Sequence, residues 1–135
     1  MQLERRVPTL DEHRSLALAV GWTDAFDWST MQRSLDRSVA GAVVTDAGET
    51  VGMGRLVGDG VKYFYVQDMA VAPSHQQRGV GRMVLDALLE HVARAAPDHA
   101  FVGLFATGAG EGLYRAHGFD VPGMTGLARI VSPRG

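Results

Sequence analysis

Hydrophobic positions change period several times along the chain, and each change predicts an element. Over Asp11 to Val20 the apolar residues Leu16, Ala17, Ala19 and Val20 stand among polar ones and the run stops at Gly21, which predicts a short amphipathic helix with a glycine stop. A second helix is expected over Trp28 to Leu35, with Asp27 or Ser29 as N-cap and with Trp22 and Phe26 in the connection. From Ser38 onward Val39, Ala40, Ala42, Val43 and Val44 predict a strand that turns at Asp46-Ala47-Gly48-Glu49 into a second strand, Val51 to Val57. Gly58-Asp59-Gly60 turns the chain again into Lys62 to Val71, dense in Tyr, Phe and Val and closed by Pro73.

The longest predicted helix spans Arg82 to Ala96, where Met83, Val84, Ala87, Leu88, His91 and Val92 follow helical spacing up to Pro97. Phe101 to Ala106 is continuously apolar and predicts a buried strand. A short helix over Glu111 to Ala116 ends at Gly118, and Leu127 to Val131 predicts a last strand. The order ααβββαβαβ, without repeat or linker between Gly21 and Gly118, predicts one α+β domain over residues 1–135.

Composition narrows the function classes. A chain of 135 residues buries about 68% of its unfolded surface, enough for its own core. With no cysteine, it has no disulfide, thiolate zinc ligand or thiol nucleophile. Hydrophobic residues make up 46%, yet no apolar run approaches the roughly 18 to 20 residues of a membrane span, so no membrane association is expected. The opening residues MQLERRVPTLDEHRS have no apolar core of a targeting peptide, so a cytoplasmic location is expected. Thirteen basic against fifteen acidic residues argue against a surface built for nucleic acid. Five scattered histidines offer no metal-ligand spacing, so no metal is expected.

Glycine is the unusual residue, 17 of 135. Gly79 and Gly81 lie between the aromatic-rich strand and the long helix. A helix start carries unpartnered N–H groups and the positive end of the helix dipole, so it binds phosphate when the loop lets an anion approach. A P-loop would need Gly-Lys-Ser/Thr where this chain has Gly81-Arg82-Met83, and a dinucleotide fingerprint would need a small residue at Val84.

The segment Gln76-x-x-Gly79-x-Gly81 resembles instead the Q/R-x-x-G-x-G/A loop of the GNAT superfamily of N-acetyltransferases. Val66 to Pro73 resembles that family's fourth strand, and Leu113 to Phe119 resembles its x-Tyr-x-x-x-Gly-Phe segment. The resemblance runs from Ser38 to Phe119. It implies the GNAT fold, a central mixed sheet with helices on both faces and a splay between the fourth and fifth strands, and it implies acetyl-CoA as co-substrate. The cofactor would then be held by Met69, Ala70 and Val71 of the fourth strand and by Gln76, Gln77, Arg78, Gly79, Val80, Gly81 and Arg82 of the loop, with pyrophosphate on the loop amides.

Transfer of an acyl group to an amine needs a neutral amine, a donor for the developing oxyanion and a proton for the departing thiolate. By the resemblance Tyr114 supplies that proton, and the Met69 N–H or a neighbour serves the oxyanion. Asp68 is the one carboxylate on the strand. It is either the base or amine-binding group, or a structural hydrogen-bonding residue, and a water chain could replace it as base. Regular alternation sends Gln67 and Asp68 to opposite faces unless the strand is bulged. Trp22, Phe26, Trp28 and Gln67 are candidates for the acceptor wall, the aromatics being equally suited to helix packing.

The resemblance thus implies transfer of acetyl from acetyl-CoA to a primary amine of a small molecule by direct attack in a ternary complex. A protein or peptide N-acetyltransferase and a non-catalytic acyl-CoA sensor are the alternatives. A homodimer is the common arrangement among small relatives.

Overall fold

In the computed structural model, which describes residues 1–134, five strands form one sheet in the order β1-β2-β3-β4-β5. The elements are β1 (Gln2–Glu4), α1 (Leu10–Ala19), α2 (Trp28–Asp36), β2 (Ala40–Asp46), β3 (Glu49–Gly58), β4 (Tyr63–Val71), α3 (Val80–Ala95), β5 (Phe101–Gly103) and α4 (Glu111–Ala116), with a single 3₁₀ turn at Pro73–His75. β1 to β4 are antiparallel neighbours, and β5 is parallel to β4, so α3 is the crossover between them. The sheet is mixed, as expected. Contacts divide the chain into two units, Met1–Phe105, which holds the sheet and the first three helices, and a shorter one that begins at Ala106 and holds α4. No helix among the described residues is long and apolar enough to cross a membrane.

Local chemistry explains most boundaries. Thr9 and Glu12 form a reciprocal capping box at the start of α1. The β2–β3 hairpin turns through Ala47 and Gly48, both at positive φ, the geometry a two-residue turn requires.

The sheet is packed on both faces. On one, Gly52 and Gly54 of β3 let α3 come close: a Cβ on Gly54 would lie 2.8 Å from Val84 Cγ1, and one on Gly52 would collide with Val80. On the other, Leu16 of α1 packs with Met53 and Ala70, with Val20, Trp22 and Ala72 around them. Burial of each large side chain such as Leu16, Met53 or Leu88 contributes about 1.5–3 kcal/mol.

Three expectations are corrected. The last strand, Leu127 to Val131, does not form: Leu127 and Ile130 are 86% and 92% exposed, and strand propensity without a partner strand or a face to cover makes no strand. The strand expected over Phe101 to Ala106 ends at Gly103 and is not buried. It pairs with β4 at only three positions, and Phe101 sits beside the exposed rings of Tyr63 and Tyr65, so its apolar run reflects one open face. Conversely, β1 adds a strand that the sequence pattern does not predict. Three residues carry no readable period, and β1 exists because β2 offers Val43 to Thr45 to pair with. The observed order is therefore βααβββαβα.

Candidate active site

β4 is bulged at the position where the expected chemistry falls. Met53 pairs with Ala70 and Arg55 with Gln67, so one step more is taken along β4 than along β3, and Asp68 and Met69 both lie opposite Gly54 without register partners. Asp68 adopts φ +57°, a left-handed conformation that costs an ordinary residue about 1–2 kcal/mol and that Asp tolerates better than most. The bulge removes the alternation that would have parted Gln67 from Asp68. Gln67 stands opposite Arg55, on the face that Arg55 shares with Asp68, while the Met69 side chain lies on the α3 side, where its sulfur would be 2.6 Å from a Cβ on Gly54.

Asp68 is the centre of a buried polar cluster. Its Oδ2 accepts from Arg55 Nε and from His13 Nε2, each at 2.9 Å. Burial raises the Asp68 pKa, but the His13 and Arg55 hydrogen bonds and the Arg55 charge outweigh it and hold the carboxyl below its ordinary value. Because Asp68 is ionised, the His13 tautomer that serves it carries its proton on Nε2. Arg55 also donates to the Ser34 carbonyl, to Ser34 Oγ and to Ser38 Oγ, each at 3.1 Å, which places a cation on one carbonyl in the last turn of α2.

Sequence reasoning misses both His13 and Arg55. A charged residue in the middle of the apolar stretch Val51 to Val57 is the available signal.

The three candidate aromatics lie together, half-buried, and two of them meet the His13 ring. Phe26 and Trp28 meet its ring edge-on at 4.9 and 5.8 Å, and Phe26 stands 6.1 Å from Trp22 and 5.3 Å from Trp28. The glycine stop of α1 sets Trp22. Gly21 takes φ +88°, its N–H reaches the Leu18 carbonyl, and the Trp22 N–H reaches that of Ala17 at 2.8 Å. Asp27 caps α2 through the Ser29 N–H and so sets Trp28.

β4 presents open backbone toward β5. Pairing of the two strands stops at Tyr65, so among the described residues that side meets no strand from Val66 onward, the splay that the resemblance implies. The Ala72 N–H donates to the Val51 carbonyl, so by antiparallel alternation Val71 turns its backbone groups away from β3. The Val71 carbonyl is already engaged, accepting from Gln76 Nε2 at 3.2 Å.

The loop continues with two left-handed residues, Gln77 at φ +61° and Gly79 at φ +83°, and Gly79 is the N-cap of α3. The helix begins at Val80, two residues before the expected start. Its first backbone hydrogen bond runs from Met83 to Gly79, so the N–H groups of Val80, Gly81 and Arg82 have no partner within the helix. Nothing lies within 4 Å of a Cβ on Gly79, which leaves room for an anion. Behind the loop, His75 donates and accepts between Asp46 and Ser74, each at 2.7 Å, tying the turn to the β2–β3 hairpin.

In the second unit the Tyr-x-x-x-Gly-Phe segment is a helix ending. Gly118 takes φ +86° just past α4, the Phe119 N–H reaches back to the Tyr114 carbonyl at 3.1 Å, and the two rings meet edge-on at 5.9 Å. The spacing thus fixes the Tyr114 side chain. Burial pushes the Tyr114 phenol above its ordinary pKa, so it holds its proton at neutral pH.

A family model, the acetyltransferase (GNAT) domain, matches residues 38–121. No curated protein matches the chain. Among solved structures, a protein of unknown function from meticillin-resistant Staphylococcus aureus superposes with TM-score 0.86 at 22% identity, covering 96% of this chain and 98% of its own. A GNAT family acetyltransferase from Streptococcus pneumoniae does so with 0.82 at 28%, covering 98% of each. Glucosamine-6-phosphate N-acetyltransferase from Arabidopsis thaliana shares the fold at 12% identity, with TM-score 0.70 over 97% of this chain and 100% of its own.

Proposed function

Because this chain belongs to the GNAT acetyltransferase family, as the match over residues 38–121 shows, we propose that it moves an acetyl group from acetyl-CoA to the primary amine of a small molecule. The observation that carries the reading is the loop at the start of α3, with left-handed Gln77 and Gly79, unpartnered amides at Val80, Gly81 and Arg82, and open space above Gly79. Such a cradle suits a pyrophosphate, and Arg78 and Arg82 add charge at its rim. When bound, acetyl-CoA supplies the thioester. The backbone of β4 at Met69, Ala70 and Val71 would hold its pantetheine arm, and the Val71 carbonyl, which Gln76 now engages, would be one acceptor for it. The Met69 N–H serves the developing oxyanion, a role in which a single donor contributes about 10²–10³-fold.

Tyr114 gives its proton to the departing thiolate. Asp68 is a weak base at neutral pH because Arg55 and His13 hold its carboxylate ionised, so the ammonium proton leaves through water. With no cysteine to carry an acyl group, the amine attacks directly within a ternary complex. Trp22, Phe26, Trp28 and Gln67 border the acceptor, and half-buried rings favour an amine on an apolar stem. The Arabidopsis protein of this fold is named for an amino sugar phosphate; by fold-level analogy alone, a small acceptor is in keeping.

The test is thiol release from acetyl-CoA across a panel of arylalkylamines, polyamines, aminosugars, amino acids and peptides. Turnover with a small amine, intersecting initial-velocity lines and a fall in kcat of about 10²-fold in Tyr114→Phe are expected. Turnover with peptides alone would make it a protein acetyltransferase, and binding of acetyl-CoA without turnover would make it a sensor.

A further inference from the structure

The bulge in β4 is held by side chains that belong to neither the loop nor α4. Asp68 is the extra residue, in the left-handed region, and a bulge is fixed by whatever holds that residue. Its carboxylate is gripped from β3 by Arg55 and from α1 by His13. Neither grip is loose. Arg55 is locked by Ser34 and Ser38, and His13 is fully buried between Phe26 and Trp28.

His13 also leaves Nδ1 buried without a partner. An unpartnered buried polar atom costs stability that a phenylalanine of similar shape would not incur. Packing therefore does not account for the histidine. The one thing a phenylalanine could not do there is donate to Asp68.

We propose that His13 and Arg55 are positioning residues that act through Asp68: they pin its carboxylate to the α1 and α2 side of the sheet, fix the left-handed turn of the backbone, and so aim the Met69 N–H at the thioester carbonyl. Asp68 is drawn to one side of the sheet and the Met69 side chain packs on the other, so the peptide between them has one orientation. The chemistry of this inference rests on the acetyl-transfer reading; its geometry does not.

Two measurements test it. In turnover, His13→Phe should lower kcat by on the order of tenfold to a hundredfold with little change in KM for acetyl-CoA, since the loop is untouched. His13→Gln, whose amide can reach Asp68, should recover most of the loss. Asp68→Asn should lower kcat without moving the pH limbs of kcat/KM, and combining it with His13→Phe should add little, because both break one connection.

In the unliganded protein labelled with ¹⁵N-methionine, His13→Phe should shift the Met69 amide cross-peak and leave that of Met83 in place. This second measurement holds even if no amine is acetylated, so failure of the enzyme reading and failure of the positioning role are distinguishable. An unmoved Met69 cross-peak overturns the proposal, as does an undiminished kcat in His13→Phe of an active enzyme. Loss of a pH limb in Asp68→Asn also overturns it, since Asp68 would then be the titrating base.

Discussion

Glu12 shows how much one side chain can be asked to hold. Its carboxylate accepts from Arg6 at 2.6 and 3.0 Å, from Thr50 Oγ1, and from the Thr9 N–H as the second half of the capping box. The Arg6 hydrogen bond, opposed by burial and helped by Thr50 and Thr9, pulls its pKa from 4.5 down to about 2. A carboxyl whose folded pKa is depressed stabilises the fold fully above its unfolded pKa and loses that contribution as pH falls through the folded one. The Tm should therefore drop between about pH 4.5 and pH 2. In thermal melts Glu12→Gln should lower Tm at pH 7 and flatten that acid slope; a slope identical to wild type would remove Glu12 as its source. Asp68, also depressed, acts in the same direction.

Among the elements, β2 depends on a glycine that no motif contains. A Cβ on Gly41 would lie 2.6 Å from the Val7 Cα and 2.8 Å from the Arg6 carbonyl oxygen, and these are backbone atoms that cannot rotate away. Gly41→Ala should cost about 1–3 kcal/mol as the segment between β1 and α1 is pushed off β2. Urea unfolding measures this, and an unchanged midpoint would contradict it. By contrast, the tyrosine motif of α4 is an element ending that is legible in the sequence. Tyr114, Gly118 and Phe119 have the spacing of a helix whose last turn is closed by a left-handed glycine and a hydrophobic contact.

At the scale of the whole molecule, charge balance governs solution behaviour. The formal charge is −2 and the isoelectric point near 6.2. Self-repulsion is then least near that pH. Solubility in a polyethylene glycol titration should pass through its minimum at about pH 6 and recover on both sides; a minimum elsewhere would point to a specific association instead.

Much of the fold is legible in the amino-acid sequence, because its signals are local. The hairpin at Ala47-Gly48, the glycine stops at Gly21 and Gly118, the Gly79 loop and the apolar face of α3 are set by residues within a few positions of one another. The left-handed turn at Gly79 and the helix ending that carries Tyr114 are local in the same way, while the roles of these residues are what the family resemblance implies. What only the tertiary structure decides is pairing at a distance. Asp68 meets His13 across 55 positions and Arg55 across 13, and no spacing rule links them. Whether Gln67 and Asp68 share a face depends on one extra residue in the β4 register, and a register is fixed by the packing of whole strands. The apolar segment Leu127 to Val131 has the composition of a strand but pairs with none, because a strand exists only where another chain segment offers it hydrogen bonds.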